Sequence, residues 1–565
     1  MIESTNKKRT IIHLIIGLII LVWSFAVLDE GFYMDESGLL SVYKGIYQGN
    51  RLFIDSWGPH QLGGLLTYPL FALYYEVLEP IIYPLGCGFV LYMRICYQGI
   101  RLFISVYLYF TIRQTKYIDS AFVVSSMYYM FFVSFKNLSY KSMCEMAIAL
   151  FICWGYRYFD TKKTGYIVLM ALATCVAILA YPTMILFPFL FVIYMLIMSY
   201  NGFSFKSQII AYSVVCILCG LAVLIYVQCT SGMSNVISQI AYTEDAAYKY
   251  PIYIRSGIML ASYCFFAVVA YIPIVVMKII EKFRYIEDTT RQITLAVYWI
   301  IFVAAIILLR PQSVSTTRYI HGCLVLFFWY IYFSKDRDYS QYTTVGKYKQ
   351  ADFTNKEVMG FVLFVSVVTQ LIWSVSTNQE VTVPGHMSIY AVLLLMMMAE
   401  EYEGLKILRY AVFALTVFFM GVWIPESDGG YNDIFESRTY VADGAYRGIA
   451  LDEVDYAMNA SCYDLLEKYV SADDYLYVVN GYGATGYLNS DAHQAAGSPF
   501  SRVGVGQNRV LEYWQVNPDN QADYILIDKA NKYYEEFLQG ETAAYIYENY
   551  TTLVDTNGDV ELWTR

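Results

Sequence analysis

The sequence predicts an α-helical membrane protein that crosses the bilayer about thirteen times and carries a small α/β domain at its C-terminal end. Of its 565 residues, 58% are hydrophobic and 15% are charged, whereas soluble proteins carry about 25% charged residues. The apolar residues form long runs, each approaching the length that a bilayer requires. This composition excludes a soluble enzyme and indicates an integral membrane protein.

The predicted spans follow from these runs and from the basic residues between them. The first span, 11–28, follows Lys7, Lys8 and Arg9 and is not followed by a small-residue cleavage site, so we expect a retained span with a cytoplasmic N-terminus. Basic residues concentrate in alternate loops, as expected of cytoplasmic loops. The other spans are predicted near 88–111, 118–134, 141–158, 165–180, 182–199, 207–227, 256–279, 291–309, 317–333, 357–375, 387–400 and 406–424.

The C-terminal part of the chain differs from the rest in charge. Residues 425–565 hold 24 acidic and 8 basic side chains, a net charge of −16, while the preceding part has a net charge of +6. Such an acidic segment argues against nucleic acid as a partner and against contact with anionic lipid. A helix is predicted over 452–469. Short strands are predicted at 475–479, 524–527 and 560–563.

The sequence therefore predicts two domains on a multi-pass protein of the plasma membrane. Residues 1–424 form the transmembrane domain, and residues 425–565 form an extracytoplasmic α/β domain, because an odd number of spans places the C-terminal end outside. The long outer loop 29–87 contains its own apolar stretch, 65–78, which we interpret as an interfacial helix or a re-entrant segment.

Two adjacent carboxylates, Asp35 and Glu36, stand in this loop just beyond the first span. Charges at the mouth of a membrane protein are costly unless water, a metal or a substrate meets them. Outside the cytoplasm the available activated sugar is one carried on a polyprenyl phosphate, whose phosphate leaves without a proton. The acceptor hydroxyl must lose a proton, so one carboxylate suffices as general base. Asp29 and Glu30 are rivals, and two solvated loop carboxylates are the plainer alternative.

Further along the same loop, Asp55 and His60–Gln61 flank a Trp-Gly-Pro turn. This rigid corner with two polar ends could bind an acceptor or, through Asp55 with Asp35, a divalent metal. A capped turn before a helix is the alternative. A one-step displacement requires no cofactor. Whether a divalent metal also takes part stays open.

Basic residues near the outer loops are candidates to hold the departing phosphate. We single out Lys136, Arg310 and Arg318, because Arg and Lys at the bilayer boundary bind phosphates, although they also extend toward lipid headgroups. Arg94 and Arg101, seven residues apart, share one helix face and either line a substrate groove or form structural pairs.

The residues of this loop resemble a known family. Met34-Asp-Glu-Ser37, Tyr43, Gly49, the run Phe53–Gln61 and Tyr68-Pro-Leu-Phe71 together resemble the first outer loop of GT-C glycosyltransferases, of the protein O-mannosyltransferase and lipid A aminoarabinose transferase type. The resemblance implies that an acidic residue of the pair Asp35–Glu36 is the base. Tyr140 and the Ala180-Tyr181-Pro182 step also resemble features of these relatives.

The expected function is transfer of a monosaccharide from a polyprenyl-phosphate donor to a glycan, lipid or protein acceptor. Asp35 is the leading base with Glu36 in support, and the anomeric centre is expected to invert in one displacement. Asp55, His60, Gln61, Lys136, Tyr140, Arg310 and Arg318 are the expected substrate-binding residues. Two rival readings are an envelope glycan polymerase, ligase or flippase, and a non-enzymatic membrane protein with an outer binding domain.

Overall fold

The fold is given by a computed structural model. It describes the chain apart from residues 1, 32, 114–117, 131–135, 244–249, 310–315, 329–341, 346–347, 352–354, 399–405, 424–437, 480–482, 500–506 and 532.

The described residues up to 423 are mostly helical, as the long apolar runs predict. A helix lies at each of the thirteen predicted spans. The helices are α1 (Ile2–Ala26), α2 (Met34–Tyr47), α3 (Gly63–Ala72), α4 (Glu79–Ile82), α5 (Phe89–Arg113), α6 (Ile118–Met130), α7 (Tyr140–Thr161), α8 (Thr164–Ala180), α9 (Leu186–Tyr200), α10 (Lys206–Thr230), α11 (Met233–Gln239), α12 (Ile252–Glu281), α13 (Asp288–Leu309), α14 (Thr316–Leu324), α15 (Asn355–Thr377), α16 (Ile389–Met398) and α17 (Lys406–Trp423).

Seven helical runs in the described part of the chain are long and apolar enough to cross a membrane. They are Gly63–Ile82, Phe89–Arg113, Pro182–Tyr200, Lys206–Thr230, Ile252–Glu281, Asp288–Leu309 and Glu357–Thr377. This confirms a helical, polytopic membrane fold, while the count of about thirteen crossings stays a prediction.

The first outer loop is itself mostly helical. The predicted apolar helix over 65–78 is part of the continuous run Gly63–Ile82, in which a π-helical segment, Leu73–Leu78, joins α3 to α4. This run is long enough to cross a bilayer, so whether it lies in the interface or enters the membrane stays a prediction. Helix α2 packs against α3 and precedes a compact turn over residues 48–62.

The C-terminal region forms a five-stranded mixed sheet. Its strands are β5 (Tyr475–Val479), β6 (His493–Gln494), β7 (Tyr524–Asp528), β8 (Thr552–Asn557) and β9 (Val560–Thr564). They lie in the order β6-β5-β7-β9-β8, in which β5, β6 and β7 run parallel and β9 and β8 are antiparallel additions. The helices of this region are α18 (Glu453–Tyr469), α19 (Gly483–Leu488), α20 (Gln507–Val516), α21 (Tyr534–Leu538) and α22 (Glu541–Asn549).

The helix predicted over 452–469 and the three predicted strands are confirmed. Two strands were not predicted, for physical reasons. β6 has only two residues and exists through its pairing with β5, and β8 exposes its first residues and lacks a strict alternation of apolar and polar side chains. Two small hairpins were also not predicted, and they comprise β1 (Tyr342–Val345) with β2 (Tyr348–Ala351) and β3 (Thr439–Tyr440) with β4 (Ala450–Leu451).

The C-terminal region is joined to the first outer loop through its main chain. Gly31 N donates to Ala450 O at 2.9 Å, and Ala450 N donates to Asp29 O at 2.7 Å. Gly88 N, just before α5, donates to Arg447 O at 2.9 Å. Main-chain hydrogen bonds therefore join the C-terminal region to both ends of the segment between α1 and α5.

Candidate active site

Helix α2 carries the two predicted catalytic carboxylates in its first turn. The residue before it, Tyr33, is extended and gives the helix no side-chain cap. Asp35 and Glu36 instead place negative charge at this end, where the backbone N–H groups and the helix dipole favour it. Asp35 and Glu36 are thus compatible with two roles, stabilisation of the N-terminal end of α2 and catalysis.

Glu36 is enclosed and fully engaged by Arg94 of α5. Arg94 Nε donates to Glu36 Oε1 at 2.9 Å and Arg94 Nη2 donates to Oε2 at 2.6 Å, and both side chains are completely buried. A two-point pair of this kind fixes orientation as well as charge. Glu36 is therefore positioned to support its neighbour rather than to meet a substrate.

Arg94 also binds the chain that leads from α1 into α2. Its guanidinium donates to three main-chain carbonyls at 2.8–2.9 Å, those of Leu28, Glu30 and Gly31. These carbonyls lie beyond the end of α1, where no N–H group of a helix is placed to donate to them. One buried side chain thus connects α5 with the segment that precedes the acidic step.

Asp35 differs from Glu36 in both exposure and bonding. Its side chain is partly exposed, and among the residues that the structure describes it has no hydrogen-bond or ion-pair partner. Of the two adjacent carboxylates, Asp35 is therefore the one available to an incoming molecule.

Glu30, the sequence rival to Asp35, is buried between two cations. Lys136 Nζ lies 3.8 Å from Glu30 Oε2, and Arg438 Nη1 lies 3.5 Å from Oε1. Burial raises the pKa of Glu30, opposed by both cations, and lowers the pKa of Lys136 to about 7, opposed by Glu30. The predicted phosphate ligand Lys136 thus has a carboxylate partner in this state, and Glu30 is not exposed as a base would need to be.

Asp55 is bound by residues of its own turn and of the C-terminal region. Arg51 holds its carboxylate at 2.7 and 3.1 Å, and Asn520 Nδ2 donates to Oδ1 at 3.0 Å. Among the described residues, no group of three or more His, Cys, Asp or Glu side chains could hold a metal. The structure therefore assigns Asp55 a joining role and does not gather it with Asp35 into such a cluster.

His60 lies in a stack of aromatic rings that unites four separate segments. Its ring centroid is 3.8 Å from that of Tyr140, with the planes 5° apart, and 5.3 Å from that of Tyr181. Tyr181 in turn stacks on Trp373 at 4.5 Å. Burial lowers the pKa of His60 to about 3, with a further contribution from Lys141. The imidazole is neutral at physiological pH.

Three other predicted residues have different outcomes. The Gln61 side chain accepts a hydrogen bond from Phe53 N at 2.7 Å and donates one to Gly58 O at 2.8 Å. Its amide is thus used within its own turn, and its role as a substrate ligand stays a prediction. Arg318 lies in α14 and is buried. Arg310 lies outside the described residues.

Arg94 and Arg101 form structural pairs, which resolves the alternatives that the sequence left open. Arg101 bonds Glu145 of α7 at 3.1 and 3.3 Å and donates to the carbonyl of Tyr129 at 3.1 Å, near the end of α6. The two arginines of α5 thus bond in the same way. Each guanidinium donates both to a Glu carboxylate and to main-chain carbonyls at or just beyond the end of a helix.

The chain is similar to several solved structures. Neither a family model nor a curated protein matches the chain. The chain is similar to ArnT from Cupriavidus metallidurans in the apo state, with a TM-score of 0.45, 9% identity and coverage of 99% of this chain and 98% of that chain. For ArnT bound to undecaprenyl phosphate the values are 0.40, 11%, 98% and 98%.

A third similar structure is the archaeal oligosaccharyltransferase AglB from Archaeoglobus fulgidus in complex with an inhibitory peptide and a dolichol-phosphate. The TM-score is 0.39 at 11% identity, with coverage of 94% of this chain and 72% of that chain.

Proposed function

We propose that this protein is a membrane glycosyltransferase that moves a monosaccharide from a polyprenyl-phosphate donor to a hydroxyl acceptor outside the cytoplasm. The observation that carries the proposal is the contrast between two adjacent carboxylates. Glu36 is buried and held at two points by Arg94, while Asp35 is partly exposed and lacks a described partner. A general base must be reachable, and it must also be held by rigid surroundings.

The reaction assigned to Asp35 is a single displacement. The acceptor hydroxyl gives its proton to the Asp35 carboxylate while its oxygen forms a bond to the anomeric carbon of the sugar. The bond from that carbon to the phosphate oxygen breaks, and the polyprenyl phosphate leaves with the electron pair. Attack from the face opposite the leaving group inverts the anomeric centre. Glu36 and Arg94 hold the first turn of α2 during this step.

The leaving phosphate requires cations that are not solvated. Arg318 of α14 and Arg310, which lies outside the described residues, are the proposed phosphate ligands, and Arg318 is buried. Lys136 is a further ligand in the proposal, and a phosphate would compete there with Glu30. His60 and Tyr140 offer ring faces and a neutral imidazole, groups that suit a sugar ring better than an anion.

The proposal includes a sidedness, with the N-terminus in the cytoplasm and Asp35 outside. Its support is the alternation of basic loops in the sequence, together with the main-chain pairing of Gly31 with Ala450, which fixes both segments to one side. A cysteine introduced at position 35 of a chain without native cysteines should react with a membrane-impermeant maleimide in intact cells. Reaction only after the cells are opened would contradict the proposal.

The activity is tested with purified full-length protein and undecaprenyl-phosphate-linked radiolabelled mannose, glucose and galactose, with cell-envelope extract as the source of acceptor. Asp35→Asn keeps the size of the side chain and removes the base, so we expect a loss of transfer of about 10²–10⁴-fold, the usual contribution of general base catalysis. Asp29→Asn, which changes the rival carboxylate, serves as the matched control and should retain activity. Full activity of Asp35→Asn would refute the mechanism.

A further inference from the structure

Tyr446 of the C-terminal region contacts the first turn of α2. Tyr446 Oη and Ser37 Oγ share a hydrogen bond, and both side chains are 1% exposed. Ser37 directly follows Glu36 and is two residues from Asp35. A residue of the C-terminal region, which we call the outer domain (residues 425–565), is thus bonded directly to the turn that carries the proposed base.

A second contact holds the other end of the same helix. Lys44 Nζ donates to Ser490 O at 2.7 Å and to Leu488 O at 3.2 Å, and it pairs with Asp491 at 3.0 Å. These groups lie at and just beyond the end of α19, where carbonyls lack helical partners. Burial lowers the pKa of Lys44, and Asp491 opposes the shift. Helix α2 is therefore attached to the outer domain at both ends.

We propose that Tyr446 and Lys44 are positioning residues that set the direction of Asp35 from the outer domain, an inference that rests on the proposed function. Among the described residues Asp35 has no hydrogen-bond or ion-pair partner of its own, so the position of its carboxylate depends on how the backbone of α2 is held. Arg94 fixes that backbone from the membrane side, and Tyr446 and Lys44 fix it from the outer side. Small displacements of a reacting group cost large factors in rate.

Tyr446→Phe is a clean probe of this role, because it removes one hydroxyl and leaves the ring in place. Ser37 Oγ keeps a second hydrogen bond, to Tyr33 O at 3.2 Å, so its hydroxyl is not left unpaired. The matched control is Tyr550→Phe. Tyr550 is also fully buried in the outer domain and donates to Ala522 O at 2.7 Å, but it does not bond to α2.

The experiment measures kcat, donor KM and thermal unfolding for the full-length variants, with the undecaprenyl-phosphate hexose that the wild type uses. We expect Tyr446→Phe to lower kcat about tenfold, the equivalent of ~1.4 kcal/mol in the barrier, with donor KM unchanged. Tyr550→Phe should lower the unfolding temperature as much and leave kcat unchanged. Equal kcat for the two variants, whether high or low, would overturn the proposal.

Two further variants keep the result decisive if Tyr446→Phe does not fold. Ser37→Ala removes the same hydrogen bond from the other side, together with the bond of Ser37 to Tyr33 O. Combining it with Tyr446→Phe should cost less than the sum of the two single effects, as expected for residues that share one contact. Lys44→Met should also reduce kcat, whereas Lys468→Met, which breaks the exposed pair of Lys468 with Asp555, should not. If the effects of Ser37→Ala and Tyr446→Phe add up in the double variant, or if Lys44→Met keeps full kcat, the positioning role is contradicted.

The failure of this inference can be told apart from the failure of the proposed function. If Asp35→Asn is inactive and Tyr446→Phe is fully active, only the positioning role is refuted. If Asp35→Asn is active, the proposed function is refuted.

Discussion

Arg94 binds Glu36 through two parallel hydrogen bonds of 2.9 and 2.6 Å in a site where neither side chain is exposed. This pair connects the second predicted span with the helix that carries Asp35. Removing one partner of a buried ion pair leaves an uncompensated charge, which is costlier than removing both. The pair therefore gives a sharp test of how the acidic turn is held.

Arg94→Ala is expected to destabilise the protein by about 3–5 kcal/mol, because Glu36 remains buried without a partner. The double variant Arg94→Ala/Glu36→Ala should recover part of this loss. Thermal unfolding of the purified variants in detergent measures both effects. A double variant that is less stable than the single one would contradict the view that Glu36 is a buried anion held by Arg94.

The burial of His60 predicts a pH dependence of stability. Its pKa of about 3 lies below the ordinary value of 6.5, so as the pH falls below about 6.5 the unfolded chain binds a proton that the folded chain does not. Stability from this site is present above pH 6.5 and is lost between pH 6.5 and 3, by at most ~1.4 kcal/mol per pH unit.

His60→Phe keeps an aromatic ring in the stack and removes the proton-binding group. Unfolding temperatures of the wild type and of this variant should therefore converge, or change order in favour of the variant, as the pH falls from 7 to 5. A difference that stays constant over this range would show that His60 is not held neutral.

Asp55 provides a test of the open question of metal dependence. Because its carboxylate is occupied by Arg51 and Asn520, Asp55→Asn should lower the unfolding temperature by loosening the turn from the outer domain. We expect the transfer rate of the folded variant to be the same with EDTA as with Mg²⁺ or Mn²⁺. A wild-type activity that EDTA abolishes and that Asp55→Asn loses in parallel would restore Asp55 as a metal ligand.

Substitutions at two glycines with positive φ distinguish the cost of backbone strain from the cost of losing a contact with the outer domain. A Cβ at Gly448 (φ +83°) would lie 2.1 Å from Gly86 O, whereas a Cβ at Gly49 (φ +97°) would meet nothing within 4 Å. Gly49→Ala should cost about 1–3 kcal/mol from its backbone conformation alone. Gly448→Ala should cost more and should also reduce transfer, because the outer domain is displaced from the start of α5. Equal losses of stability in the two variants, measured by thermal unfolding, would show that this contact is loose.

The sequence predicts those features that depend on local pattern. Long apolar runs predicted the helices, and the acidic step after the first span drew attention to Asp35. The resemblance also singled out Tyr140, which the structure stacks on His60.

Residues that act through distant contacts could not be assigned in this way. The partners of Arg94, Tyr446 and Lys44 lie 58, 409 and 444 residues away in the chain. No periodicity or turn signal encodes such a pairing. The sequence also did not show that the side chain of Gln61 bonds within its own turn, to Phe53 N and Gly58 O.

The pairing of Gly31 with Ala450 has a consequence for the order of biosynthesis. The loop that bears Asp35 leaves the ribosome well before the strand that completes its backbone pairing. Contacts between such remote parts of a chain form late. During translation and membrane insertion the segment before the acidic turn therefore lacks this backbone partner until the strand that contains Ala450 has been made and folded.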